Sequence, residues 1–300
     1  MPITRHRKRT FKNEWVEIII DATYSELLYK AIDAAEPILE RFPRAQRLWQ
    51  LLVEDEEAQA NLDMADWLTT HNLACNDHGM THAQIVAANA VVIYDLLLRA
   101  QVVSDVVDSG AGSEDEACLT IVAGALLHDI GNQVHRVRHE HVGANLALPL
   151  LDRLMPEIYP GTEKRVQLRA FILHSIYSHD FEPSPLTFET ALVSIADGTD
   201  VTKGRGRKAF GLGKVDIHSV SALAIDEVHI AAGKQHPVEI TVVMNNSAGF
   251  FQIEETLTRK IVKGPLSKHV TVTAVTRPPG GDDARIIEHL QLHEGEFKTE

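Results

Sequence analysis

The run Ala125-Leu126-Leu127-His128-Asp129-Ile130-Gly131 sets the tightest limit on how this chain can fold. The residues before it are apolar over several turns, so the pattern predicts a buried helix that ends on an imidazole beside a carboxylate. Both groups need partners, because a buried polar group left unpaired costs roughly 1–3 kcal/mol and a buried charge costs more. Further candidates recur in order along the chain. Asn76-Asp77-His78-Gly79-Met80-Thr81-His82 places His78 and His82 at i and i+4, on one helical face. Downstream come His139-Glu140-His141-Val142-Gly143-Ala144, then Ala170-Phe171-Ile172-Leu173-His174-Ser175, then Ser194-Ile195-Ala196-Asp197. Each lies on a helical stretch whose other residues are largely apolar, which turns the polar side chain inward. Nine of the 16 histidines fall between His71 and His179, and this clustering points to metal or proton chemistry more than the count does.

Around these motifs the chain is nearly all helix up to about Gly213. Apolar residues recur at helical spacing from about Ala22 to Leu68, with a turn at Pro43. A long helix is predicted from about His78 to Arg99, a loop from Ser104 to Glu116, and helices near 116–129, 137–154, 163–177 and 186–199. After Gly213, Ala224–Ala231, Pro237–Met244 and Lys268–Thr276 read as strands. Ser247 to Lys263 reads as an amphipathic helix with Phe250, Phe251, Ile253, Leu257 and Ile261 on its apolar face, Ser247 as N-cap and Gly264 past its end. Arg277-Pro278-Pro279-Gly280-Gly281 then breaks the pattern before a final short helix and a polar tail. The expected fold class is mainly α: a helical bundle over 70–213, a helical N-terminal extension over 1–69 with a frayed basic start, and a small C-terminal α+β domain over 214–300. Three short strands would expose a sheet edge, and such edges are commonly covered or paired. The C-terminal domain is therefore expected to join copies of the chain into a homo-oligomer or to bind a regulator, and to supply no ligands.

Composition narrows the function. A net charge of −13 argues against a nucleic-acid binder, and it means that a phosphate substrate must be drawn in by a local cation. No apolar run approaches the ~20 residues of a membrane span, and the basic start lacks an apolar signal region, so a cytoplasmic protein without a membrane partner is expected. The two cysteines, Cys75 and Cys118, have neither the number nor the spacing of a disulfide framework or a zinc site.

The ordered series over roughly residues 76–205 resembles the HD superfamily of metal-dependent phosphohydrolases. The resemblance implies an HD-domain helical bundle, with His82 as first metal ligand because Val86-Ala87 follows it, and His128 and Asp129 as the naming pair. Asp197 would be the closing ligand; Asp200 competes with it, but Asp197 ends the apolar run from Ala191. His139 and His174 look like the extra ligands of a binuclear branch in which Asp129 bridges two ions. Within that branch the likeness is to dinucleoside tetraphosphate hydrolases, where a Gly-Arg pair, here Gly204-Arg205, also follows the last Asp. His141 is the alternative to His139, and a helix sets the two about 200° apart, so one ion takes one of them. Asn132 stands where Lys often follows HD-x-Gly, and no Gly-Tyr-Pro follows His174. Both departures argue against cyclic-dinucleotide cleavage, and the first also weakens an oxygenase reading.

The ligand types agree with this chemistry on their own terms. Mixed imidazole and carboxylate donors suit one or two ions of Fe, Mn, Co, Ni or Zn better than Ca. Such an ion acidifies its water and clamps phosphate oxygens, and phosphoryl transfer needs charge neutralisation more than covalent help. The expected activity is hydrolysis of a small phosphomonoester or phosphoanhydride, in a nucleotide. Asp129, His78 and His179 are the catalytic candidates, the two histidines reading equally as ligands of a second ion or as surface residues; Lys203 and Arg205, close after Asp197 with Arg207, are the substrate-binding ones. His135, Arg136 and Arg138 read as a solvated face, and His218, His229, His236 and His269 as structural. Two other functions fit the same pattern: a metal-binding HD sensor without turnover, and an HD-type di-iron oxygenase.

Overall fold

The computed structural model describes residues 11–13, 16–18, 22–73, 75–205, 217–277, 289–293 and 296–299. Two short strands, β1 (Phe11–Asn13) and β2 (Val16–Ile18), pair antiparallel. The helices that follow are α1 (Ala22–Leu39), α2 (Pro43–Glu54), α3 (Glu56–Trp67), α4 (Met80–Arg99), α5 (Asp105–Asp108), α6 (Glu114–Leu127), α7 (His139–Leu154), α8 (Thr162–Tyr177) and α9 (Phe188–Thr199). From Glu116 to Leu127, α6 is buried on every side, and it packs against α2, α4, α8 and α9. Contrary to the expectation that no run approaches a membrane span, α4 is long and apolar enough to qualify by length and composition. Most of it is buried by α1, α6 and α9, as a helix at the centre of a bundle is.

Local signals at helix starts bring the polar segments to one place. A capping box of Ser113 and Glu116 starts α6, and Thr187 accepts the Thr190 N–H at the start of α9. The expected 104–116 loop contains the single turn α5, capped by Ser104. Past α6, His128 and Asp129 lead into a 3-10 turn, Ile130–Gln133. Arg138 takes a left-handed conformation (φ 62°) and turns the chain so that His139 opens α7.

In the C-terminal part, a helix at Ile217–Leu223 precedes a five-stranded sheet in the order β3 (Ile225–Ala232), β4 (Val238–Met244), β5 (Val270–Thr276), β6 (His289–His293), β7 (Glu296–Thr299). Only β4 and β5 run parallel, and helical turns spanning 249–262 connect them. Alternation of Val238, Ile240 and Val242 puts these residues inside. The intervening threonines of β5 are buried too, because Thr271 donates to Leu292 O and Thr273 to Glu239 Oε1. Two expectations need correction. The polar tail forms β6 and β7, since backbone pairing with β5 depends little on apolar side chains. The connecting helix starts at Gly249 behind Ala248, which offers no side-chain cap in place of the expected Ser247.

Candidate metal centre

Four imidazoles and two carboxylates meet where helices begin and end. His82 comes from the first turn of α4, His128 and Asp129 from just past α6, and His139 from the start of α7. His179 follows α8 by two residues, and Asp197 lies in the last turn of α9. All four rings and Asp129 are at most 2% exposed. His82 Nε2 lies 3.2 Å from His128 Nε2, 3.1 Å from Asp197 Oδ1 and 3.5 Å from Asp129 Oδ2. On the other side, His139 Nε2 is 3.2 Å from His179 Nε2 and 3.3 Å from Asp129 Oδ1. Asp129 therefore turns one oxygen toward each pair of rings. Two overlapping triads, His82/His128/Asp197 and His128/Asp129/His179, each bring three ligand atoms within 4.8 Å of one another.

The second nitrogen of each ring shows what this centre accommodates. His128 Nδ1 donates to Ala125 O (2.8 Å), His139 Nδ1 to Arg136 O (3.1 Å) and His179 Nδ1 to Ile176 O (2.7 Å). A carbonyl can only accept, so these nitrogens carry protons, and in its neutral form each ring presents a bare Nε2 lone pair. His82 Nδ1 is held in the same way by Asp200 Oδ2 at 2.7 Å. Lone pairs that face one another at 3.2 Å repel unless a cation lies between them. The residues present thus fit a divalent metal ion: imidazole nitrogens and carboxylate oxygens converge, and each ring is oriented through its far N–H by a carbonyl or carboxylate.

The electrostatics agree. Burial would strip the proton from His128, but Asp129 and Asp197 outweigh it and raise this ring to about 10. A cation bound at Nε2 would take the place of that proton. Burial, then His128, His139 and Lys260, push His179 down to about 3. Burial would also raise both aspartates; His128 instead holds Asp129, and Lys260 and His128 hold Asp197, well below the usual carboxylate range.

Three cations reach this cluster. Arg205 Nη2 is 3.1 Å from His82 Nε2, while its other donors bind Asp77 O and Asp200 O. Arg136 Nη1 is 3.2 Å from His139 Nε2, and Lys260 Nζ is 2.5 Å from Asp197 Oδ2. Behind His82, Tyr24 OH donates to the Asp200 oxygen that holds the ring. Asp200 therefore supports the centre from outside, with Asp197 on the inside.

Placement of the remaining candidates is mixed. His78 lines the pocket, and its Nδ1 donates to Asn76 O at 2.5 Å. His141 is exposed and pairs with Tyr177. His174 is not brought in, because its Nε2 accepts the Leu186 N–H (3.2 Å) on another face of α8. Lys203 pairs with Asp226 at 2.6 Å and does not line the pocket. Arg207 lies outside the described residues. Two residues depart from expectation: Arg136 reaches the cluster instead of belonging only to a solvated face, and His218 lines the pocket. Sequence reasoning missed Lys260 and Tyr24 altogether. Their sequence signals are slight: Tyr24 lies on an otherwise apolar helical face, and Lys260 follows Gln252 and Thr256 at four-residue spacing.

The HD domain profile matches residues 81–202, the stretch that contains all six converging side chains. An uncharacterized protein of Methanocaldococcus jannaschii is 38% identical over 227 residues, which is 76% of this chain and 87% of that protein. No solved structure matches the chain.

Proposed function

This chain belongs to the HD-domain family, and on that footing we propose that it is a metal-dependent phosphohydrolase acting on a small phosphomonoester or phosphoanhydride of the nucleotide class. The observation that carries this reading is the set of bare imidazole nitrogens and carboxylate oxygens, flanked by guanidinium groups. His82, His128, Asp129 and Asp197 would hold one divalent ion (Fe, Mn, Co, Ni or Zn). His139, His179 and the second Asp129 oxygen offer donors for another. When bound, such an ion supplies Lewis acidity that neutralises phosphoryl charge and acidifies water.

The chain's own residues do the rest. Arg136 and Arg205 place N–H donors at opposite ends of the cluster, where phosphoryl oxygens can be received against the net negative charge of the protein. His78 is kept neutral by burial, and with Nδ1–H committed to Asn76 O its Nε2 is a proton acceptor. That makes it a base for the attacking water. Association of copies through the edge strands β3 or β7 belongs to the same proposal.

Metal analysis of the purified protein, followed by phosphate release from a nucleotide panel, tests the reading. Asp129→Ala is expected to lose at least about tenfold in metal affinity, because its two oxygens face both pairs of rings. Wild-type metal content in that variant would sink the assignment. Metal binding without phosphate release from any nucleotide would favour the sensor.

A further inference from the structure

The C-terminal part of the chain builds one wall of the metal pocket. Gln252, Thr256 and Lys260 line the same cavity, of about 340 Å³, as His78, Asp129, Asp197 and Arg205. Spacing by four keeps the three on one helical face, while Ile253, Leu257 and Ile261 on the adjacent stripe are buried in the core. The stretch Ile253–Thr258 is wound as a π-helix, a rare form that is frequent at functional sites.

Close approach is built in from the other side. A Cβ on Gly198, next to Asp197, would come 3.1 Å from Leu257 Cδ1 and 3.3 Å from Lys260 Cδ; one on Gly264 would come 2.9 Å from Ala191 Cβ. Lys260 is 6% exposed, and its ammonium donates to Asp197 Oδ2 (2.5 Å) and to His179 O (3.1 Å). It therefore touches both halves of the centre. With Oδ2 taken, Asp197 turns Oδ1 toward His82 Nε2. Further back, Ser221 Oγ donates to Gln252 Oε1 (3.1 Å) and holds that amide at the pocket wall.

We propose that Lys260 is a positioning residue of the metal centre, and that the face it shares with Gln252 and Thr256 recognises the group carrying the phosphate. The first half stands on the geometry of the donors, and the second rests on the phosphohydrolase reading. With the Thr256 hydroxyl donating to Gln252 O and Gln252 Oε1 accepting from Ser221, the Gln252 Nε2 donor and the Thr256 Oγ1 lone pairs are what this wall offers to a leaving group with hydrogen-bonding substituents, such as a ribose.

Calorimetric titration of Mn²⁺ into the metal-free full-length protein tests the first half. Lys260→Met should bind roughly 10–100-fold more weakly, and Lys260→Arg should recover part of the loss, with unchanged circular dichroism. Equal or tighter binding by Lys260→Met overturns the positioning role. Lys260→Gln is read by the same criteria if the methionine variant does not fold. A wild type that takes up no Mn²⁺ overturns the metal centre itself, and Lys260's role with it. For the second half, Gln252→Ala should raise KM for a nucleoside monophosphate about fivefold and leave KM for phenyl phosphate nearly unchanged. Equal changes for both substrates overturn the recognition role. Absence of phosphate release by the Mn²⁺-bound wild type overturns the phosphohydrolase reading and the recognition role together, while the titration still decides Lys260.

Discussion

At the scale of single residues, one buried acid away from the centre is raised where the two aspartates within it are lowered. Glu189, in the first turn of α9, is fully buried, and its Oε1 accepts the Val106 N–H at 2.9 Å. Its Oε2 has no hydrogen-bond partner among the described residues. Burial raises this carboxyl from the ordinary 4.5 to about 7. A raised carboxyl favours the neutral folded form, so its contribution to stability is full below about pH 4.5 and is lost as pH rises through about 7. The whole loss is about 3 kcal/mol. Urea unfolding of wild type and Glu189→Gln at pH 4.5 and pH 8 measures it: the variant should gain on the wild type by about that amount at the higher pH. A gap between the two proteins that does not change with pH would show that this carboxylate is relieved by a partner.

At the scale of elements, the turn after Asp129 and the start of α7 form one packed unit. A Cβ on Gly131 would stand 1.9 Å from His139 O and 2.5 Å from Gly143 N. These are backbone atoms, so no side chain can rotate away, and α7 must shift and carry His139 with it. Gly131→Ala should cost about 3 kcal/mol in urea unfolding, at the upper end of ordinary overpacking, and should lower Mn²⁺ affinity in calorimetry. Wild-type stability in that variant would refute the close packing. The glycine of the HD-x-Gly pattern is thus explained by contact: it lets one ligand-bearing segment lie directly on another.

At the scale of the whole molecule, the core is continuous. Buried side chains of α4, α6 and α9 belong to one cluster with Ile253, Leu257 and Ile261 of the 249–262 segment and with Val238, Ile240, Val272 and Ala274 of the sheet. Heat or urea should therefore unfold the chain in a single transition. Fluorescence of Trp49 and Trp67 in the helical part, and hydrogen exchange at β4 and β5 amides, should report one midpoint. Separate midpoints would show that the sheet folds independently and that Lys260 docks onto a finished centre.

Much of this was legible in the sequence because it depends on local rules. Helical periodicity, the apolar run into His128-Asp129 and the alternation in β4 depend on neighbours a few residues away, and they lead to the mainly α class and the family. Ordered ligand types at helix ends also told which chemistry the centre suits. Tertiary structure alone decided which histidine joins it. His174 and His179 are five residues apart, and only the turn after α8 brings His179 against His139 while leaving His174 on Leu186 N. It also decided that Tyr24 reaches Asp200 across 176 positions and Lys260 reaches Asp197 across 63. A periodicity shows which face of a helix is buried; what that face meets depends on packing between segments that have no sequence signal for each other.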